Sequence, residues 1–249
     1  MEEIGSKNGY REKKEWYKAI SYYRRRSLME RTKKQWHRYF VEEISSIVSK
    51  HIDKDNDVFV ECGVKQGSSS VRMGTRLGVK GFLFDTWHGF PNFSDLDVYH
   101  DKDRRQMETR IKNSSNTFDD CVAALKKNGI YDSCDLRIGD ILITVPEFVK
   151  DRKDLSIAMM HIDTDLYEPA KVSLESFWSY MKESGVVYFH DYGDKKWRGI
   201  KKVVDDLLDK DDDLLFHVFD KNKLFSACIV KSKDKISEDV FNSIVSLED

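Results

Sequence analysis

The chain is poor in the features that make fibrous, stapled or membrane-spanning proteins. Three prolines and 13 glycines in 249 residues exclude collagen-like and proline-rich classes. The four cysteines, Cys62, Cys121, Cys134 and Cys228, form no CxxC pair, and their spacing fits neither a zinc ribbon nor a disulfide framework. They read as reduced, buried thiols. Long apolar runs are missing: the longest clean ones are strand-sized, such as Val186-Val187-Tyr188-Phe189, against the roughly 18–20 residues a transmembrane helix needs. The opening MEEIGSKNGYREKKEW lacks the apolar core of a secretory signal. The expectation is a soluble, cytoplasmic chain with no membrane partner. Two nucleotide fingerprints are also absent, GxGxxG and GxxxxGK[ST].

What remains is a chain of 29.2 kDa with 12% aromatic, 40% hydrophobic and 35% charged residues and a mean hydropathy of −0.60. That is one large domain, or one domain with a terminal extension, long enough to bury a sizeable core. The aromatic content argues against disorder. The net charge of −2 conceals a split. Residues 1–50 hold 13 Lys+Arg against 7 Asp+Glu, a balance of +6, and the rest holds 29 against 37, a balance of −8. Trp16, Ile20, Tyr23 and then Trp36, Phe40, Ile44 and Ile47 recur at helical spacing, with Arg24-Arg25-Arg26 between them. Residues 1–50 therefore read as a basic helical extension, and 51–249 as the main domain. The basic face is either solvated or turned to an anionic substrate or partner subunit. Its aromatics offer a face for a homo-oligomer. The acidic body argues against nucleic acid as the main partner.

From Asp57 the pattern alternates strand and helix. Strands are expected at Val58–Val60, Lys80–Asp85, Asp135–Asp140, Ser156–Ile162 and Gly185–Phe189, with a closing pair at Leu215–Phe219 and Phe225–Val230. Helices are expected to about Leu77, over Arg105–Asn128, Val145–Lys150, Glu168–Lys182 and Trp197–Leu208. Such alternation predicts an α/β fold with a mainly parallel sheet, whose ligands bind beyond the carboxyl ends of the strands. Acids stand at those ends: Glu61, Asp85, Asp140, Asp163 and Asp191.

Three constellations carry chemistry. In Val60-Glu61-Cys62-Gly63-Val64-Lys65-Gln66-Gly67-Ser68-Ser69-Ser70, glycines permit a tight turn and close backbone approach, and serines cap a helix whose free N–H groups favour an anionic group. Asp85, within Phe84-Asp85-Thr86-Trp87-His88-Gly89-Phe90-Pro91, can accept hydrogen bonds from a ribose diol or cap a helix. His161-Ile162-Asp163-Thr164-Asp165-Leu166-Tyr167-Glu168 and His190-Asp191-Tyr192-Gly193 bring carboxylates to two strand ends. Hard divalent cations want oxygen ligands; an imidazole shifts the preference toward Mn2+. A structural ion-pair cluster is the competing reading.

The succession VECGVKQGSSS, FDTWHGFP, GDILITVP, HIDTDLYEPAK and HDYG resembles the TylF-type macrocin O-methyltransferases over roughly residues 57–230. The resemblance implies a Rossmann-like class I methyltransferase fold, a seven-stranded mainly parallel sheet with helices on both faces, plus the helical N-terminal extension. It implies S-adenosylmethionine as cofactor, Mg2+ (or Mn2+), and a sugar or glycosylated small molecule as acceptor. Gly63, Gly67, Ser68 and Ser69 would flank the cofactor's amino-acid end, supported by Glu61. Asp85 and Thr86 would face the ribose, and Gly139 and Asp140 the adenine. Asp163 would serve both cofactor and metal, joined by His190 and Asp191, with His190 standing where the family has the first Asp of DDYG. His190 can ligate, act as a base, or leave metal binding weakened. Asp163 is the first candidate for the base, with His161 and His190 as alternatives, while Tyr167 and Tyr192 shape the pocket. Two other functions compete: a metal-dependent glycosyltransferase using Asp163-Thr164-Asp165 as a DxD motif, and a catalytically degenerate cofactor-binding protein.

Overall fold

Strands form at β1 (Asp57–Cys62), β2 (Lys80–Asp85), β3 (Cys134–Ile138), β4 (Ser156–Ile162), β5 (Met181–Phe189), β6 (Leu215–Lys221) and β7 (Leu224–Val230). Between and around them lie α1 (Lys33–Val48), α2 (Ser68–Leu77), α3 (Phe118–Lys127), α4 (Ile141–Lys150), α5 (Tyr167–Phe177), α6 (Arg198–Leu208) and α7 (Lys235–Val245). The computed structural model describes residues 31–91, 93–97, 104–106, 108–109, 116–195, 197–221, 224–232 and 234–248. The expected Trp16, Ile20, Tyr23 and Arg24-Arg25-Arg26 lie outside the described residues.

The seven strands make one sheet of order β3-β2-β1-β4-β5-β7-β6. The first five run parallel, and β7 pairs antiparallel with both β5 and β6. This is the seven-stranded, mainly parallel sheet that the resemblance implies. Strand order reverses between β1 and β4, so the crevice for a ligand opens beyond their carboxyl ends.

Helices cover both faces, which explains why the central strands read as nearly unbroken apolar runs. On one face Val60, Cys62, Met160, Ile162, Val187 and Phe189 pack under α4, α5 and α6. On the other, Phe59, Met159, Val186 and Tyr188 pack under α1, α2, α3 and α7. Helix α1 begins with a capping box: Gln35 N–H donates to Thr32 Oγ1 (3.3 Å), and Thr32 N–H donates to Gln35 Oε1 (2.8 Å). Its inward stripe of Trp36, Phe40, Val41, Ile44, Ile47 and Val48 is buried. Phe40 stacks on Trp36 at 5.4 Å and meets Phe219 at 4.2 Å. Cys62, Cys121 and Cys228 are buried, Cys134 is half-buried, and all four are free thiols; burial pushes Cys62 up to about 12.

Several expected boundaries shift. The helix expected over Arg105–Asn128 is interrupted: Thr117 N–H goes to Trp87 O (3.0 Å), Asn116 Oδ1 accepts Phe118 N–H (2.9 Å), and α3 starts only there. The helix expected over Glu168–Lys182 ends at Phe177. One 3-10 turn, Trp178–Tyr180, follows, and β5 starts at Met181. The Tyr180 hydroxyl sits near the end of α4, against Arg152 O at 2.9 Å, which fixes this turn. Helix α7 was not expected; Asp234 caps it through Ser237 N–H (2.7 Å), and it buries Val240 and Ile244. Among the described residues no helix is long and apolar enough to cross a membrane.

Phe40 is fully buried between α1 and the sheet. Phe40→Ala should therefore cost about 3–5 kcal/mol of unfolding free energy, read by urea denaturation. A loss below about 1 kcal/mol would contradict the packing of α1 described here.

Candidate active site

The β1–α2 turn is built by conformations that favour glycine. Gly63 and Gly67 have φ of 90° and 73°. A Cβ on Gly63 would lie 2.1 Å from Asp163 O, so the turn presses directly on the end of β4. Asp85 at the end of β2 ties two turns together. Its Oδ2 accepts the N–H groups of Val64 (2.6 Å) and Lys65 (2.7 Å), and its Oδ1 accepts that of Trp87 (2.7 Å). Gly139 N–H returns to Asp85 O at 3.0 Å, and Asp140 caps α4 through Leu142 N–H (3.0 Å). A cavity of about 710 Å³ opens over these ends, walled by Gly63, Asp85, Thr86, Trp87, Asp140 and Ile141.

The opposite wall is ionic. Asp163 N–H donates to Cys62 O (2.9 Å) and His190 N–H to Ile162 O (3.0 Å), so parallel pairing carries the residues after β4 and β5 to the same level. Asp163, Asp165, His190 and Asp191 offer ligand atoms all within 4.8 Å of one another. His190 Nδ1 lies 2.9 Å from Asp163 Oδ1 and 2.8 Å from Asp191 Oδ2. Lys33 Nζ, from the start of α1, reaches Asp191 Oδ1 (3.0 Å) and Asp194 Oδ2 (2.6 Å). Asp163 is 27% exposed and faces the cavity, whereas Asp191 is 3% exposed. Asp165 and Asp191 both take a φ of 61°, a left-handed conformation that Asp tolerates better than most residues.

These contacts set the protonation states. Burial alone would lower the pKa of His190, but the charges and hydrogen bonds of Asp163 and Asp191 outweigh it and hold the imidazolium well above its usual range. Burial would raise Asp163, yet His190 first, and then His161 and His37, hold its carboxyl far below the usual range. Asp165 is driven well above that range by burial and by the neighbouring charges of Asp163 and Asp191. Burial raises Glu61 despite its hydrogen bonds from His161 and Ser70. Burial, reinforced by His190, pushes His37 well down.

Of the residues singled out in the sequence, Gly63, Asp85, Thr86, Asp140, Asp163, His190 and Asp191 line the cavity. Glu61, Gly67, Ser68, Ser69, Gly139 and His161 are not among the residues that line it. Glu61 is buried between Ser70 Oγ and His161 Nδ1, the latter at 3.0 Å. His161 is itself fully buried, out of reach of a substrate in the cavity. Trp87 is buried and meets the cavity, while the Tyr192 hydroxyl turns to Asp205 Oδ1 (3.0 Å). The sequence reading missed Lys33 and His37. His37 stands four residues before the buried Val41, a position on the inward stripe that could have marked it. Lys33, at the first turn of α1, carried no such signal. Asp165 was visible only as the second acid of a DxD.

The raised His190 pKa fixes a sign. The stability it contributes is complete below about 6.5, the unfolded value, and is lost as pH rises through the higher folded value. Imidazole NMR should find His190 still protonated at pH 7, and Asp163→Asn should lower its pKa. A wild-type value at or below about 6.5 would contradict the ion pair.

Comparison with known proteins agrees with this architecture. Residues 60–192 match the family model described as a methyltransferase domain. Among solved structures, the chain is similar to the calicheamicin methyltransferase CalS11 (20% identity, 82% of this chain and 81% of that chain, TM-score 0.66). An apo structure of CalS11, described as a TDP-rhamnose 3'-O-methyltransferase, aligns at 19% identity (78% and 79%, TM-score 0.52). The O-methyltransferase NovP aligns at 16% identity (78% of each chain, TM-score 0.58). No curated protein sequence matches the chain. The family match spans more than half of the chain, from β1 through the residues that follow β5, and on that ground the protein belongs to the methyltransferase-domain family.

Proposed function

We propose that this protein is an S-adenosylmethionine-dependent O-methyltransferase of the TylF type. It moves a methyl group to a hydroxyl of a sugar or glycosylated small molecule, with a divalent cation, Mg2+ or Mn2+, at Asp163, His190 and Asp191. The observation that carries this reading is the convergence of Asp163, Asp165, His190 and Asp191 within 4.8 Å on the wall of the cavity that also holds the Gly63 turn and Asp85. The sugar acceptor is supported by the description of CalS11 as acting on TDP-rhamnose. The family match gives no support to the glycosyltransferase reading of Asp163-Thr164-Asp165.

The donor set fits such a cation. Three carboxylates and one imidazole, which would give up its proton on ligation, are oxygen-rich enough for a hard ion, and the imidazole moves the preference toward Mn2+. When bound, the cation supplies Lewis acidity that favours the deprotonated form of an adjacent hydroxyl. The cofactor supplies the electrophilic methyl group.

The chain's own residues do the rest. The Gly63 turn lets backbone approach the cofactor's amino-acid end, and the N-terminus of α2 behind it favours a carboxylate. Asp85 already accepts three backbone N–H groups and a carboxylate has about four lone-pair sites. It therefore meets one ribose hydroxyl directly, or two if one loop N–H is released. Asp163 is committed to the ion pair with His190. That pair keeps its carboxylate ionised on the cavity wall, so Asp163 is the carboxylate assigned to take the hydroxyl proton as the methyl group leaves sulfur for oxygen, while burial and the neighbouring carboxylates favour the protonated form of Asp165. Phe90, Pro91 and Trp197 on the rim exclude water from the reacting atoms.

Incubation with methyl-labelled S-adenosylmethionine and a panel of sugar nucleotides and glycosides should give labelled acceptor, abolished by EDTA and by Asp163→Ala. Asp163→Asn should lower kcat by about 10²–10⁴-fold while leaving S-adenosylhomocysteine affinity within a few-fold. Transfer that resists EDTA would remove the cation from this reading. Binding of uridine-diphosphate sugars without S-adenosylhomocysteine would favour a glycosyltransferase, and cofactor binding without turnover on any acceptor a degenerate protein.

A further inference from the structure

A row of polar side chains crosses the sheet beneath α1. Glu61 pairs in register with His161, and His161 with Tyr188, and all three are buried on the face that α1 covers. Tyr188 donates its hydroxyl to Ser226 Oγ at 2.9 Å. Glu61 takes the Nδ1 side of His161 at 3.0 Å. With Nδ1–H committed to a carboxylate, Nε2 of His161 is left as a lone pair, buried, with no hydrogen-bond partner among the described residues.

Above this row α1 places a second imidazole. The His37 ring lies 5.4 Å from that of His161, 5.9 Å from that of Tyr188 and 4.3 Å from that of His190. Its Nε2 is 3.2 Å from Ser69 Oγ, and its Nδ1 is buried with no partner among the described residues. A ring nitrogen of His37, a ring nitrogen of His161 and a carboxylate oxygen of Asp163 lie within 4.8 Å of one another. Two neighbouring imidazoles thus each have one nitrogen held by an outer partner and the other without one, and each offers a ring nitrogen to the same carboxylate, Asp163. Metal-ligating histidines are held in this way, with the second nitrogen oriented by a carboxylate or another polar group. A single buried lone pair is costly to leave unsatisfied; two on neighbouring rings that share a carboxylate call for one electrophile that satisfies both.

We propose that His37, His161 and Asp163 form a second divalent-cation site, of two-imidazole, one-carboxylate chemistry suited to zinc-class transition metals, that clasps α1 to the end of β4. It goes beyond the function proposed above and shares only Asp163 with it. The two groups differ in chemistry. The cavity group is rich in oxygen and suits Mg2+ or Mn2+, whereas imidazole nitrogen suits Zn2+ and its neighbours. Three protein ligands leave a fourth tetrahedral position open. The site also gives the inward His37 a task that apolar packing of α1 does not require.

The test uses the full chain, stripped with EDTA and titrated with Zn2+ alone. Zinc content per chain, affinity by chelator competition, and thermal unfolding are measured for the wild type, His37→Ala, His37→Gln and Asp191→Asn. His37→Gln keeps bulk and a polar group on α1, so it guards against loss of fold in the alanine variant. The expected result is tight zinc binding and a zinc-dependent rise in Tm for the wild type and Asp191→Asn. In His37→Gln the metal-free Tm should stay near wild type, the zinc-dependent rise should vanish, and affinity should fall at least about 100-fold, the upper range for loss of an outer-shell partner and so a floor for loss of a ligand. Zinc binding at wild-type affinity in His37→Gln would overturn the proposal, as would zinc lost in Asp191→Asn but kept in His37→Gln, which would assign the ion to the cavity group. A wild type that takes up no zinc would overturn it too. Restoration of methyl transfer by Mg2+ in the EDTA-stripped His37→Gln chain reads the cavity group separately, so either claim can fail alone.

Discussion

The carboxylates after β4 and β5 cannot be kept together without positive charge. Parallel pairing sets Asp163 and Asp165 beside His190 and Asp191, with ligand atoms within 4.8 Å. Unit charges about 4 Å apart repel by roughly 4 kcal/mol at an effective dielectric constant of 20. His190, between Asp163 and Asp191, and Lys33, between Asp191 and Asp194, supply the compensation in the structure described. On the function proposed above, a bound cation would take over part of the compensation that these two side chains supply.

That compensation links the site to the N-terminal helix. Lys33 and His37 are four residues apart on α1 and so lie on one side of it. One reaches the ionic wall from the rim, and the other lies over His161 and His190 from behind. The apolar stripe of Trp36, Phe40, Ile44 and Ile47 holds the helix in place. The packing of α1 therefore also fixes the electrostatics of the cavity, although the helix contributes no strand end and no glycine turn.

Much of this was legible in the sequence because strands buried on both faces announce themselves as apolar runs. Val58–Val60, Lys80–Asp85 and Ser156–Ile162 needed no tertiary information, and the acids at or just beyond their ends, Glu61, Asp85 and Asp163, fell where a parallel sheet gathers its ends. The broken helix before Phe118 was illegible because Trp87 O, a distant acceptor, takes Thr117 N–H. The early end of α5 depends on Tyr180 reaching across to α4, and no local periodicity records that. His161 looked like a reactive residue from its place beside Asp163. Its side chain instead points to the opposite face of β4 from Ile162, toward Glu61, because alternate residues of a strand face opposite ways. Lys33 and His37 were hidden for the same kind of reason: a helix position acquires chemistry only from what the helix is laid against.

The central claim is that the carboxylate and imidazole cluster holds a cation beside the reacting methyl group. Its most direct test is a line-width measurement on [methyl-13C]S-adenosylmethionine bound to the wild-type protein. Added Mn2+ should broaden the bound methyl resonance strongly, Mg2+ should not, and Asp163→Asn should abolish the broadening while the cofactor stays bound. A methyl line that remains sharp at saturating Mn2+ would contradict the account, because the ion and the methyl group would then occupy different parts of the protein.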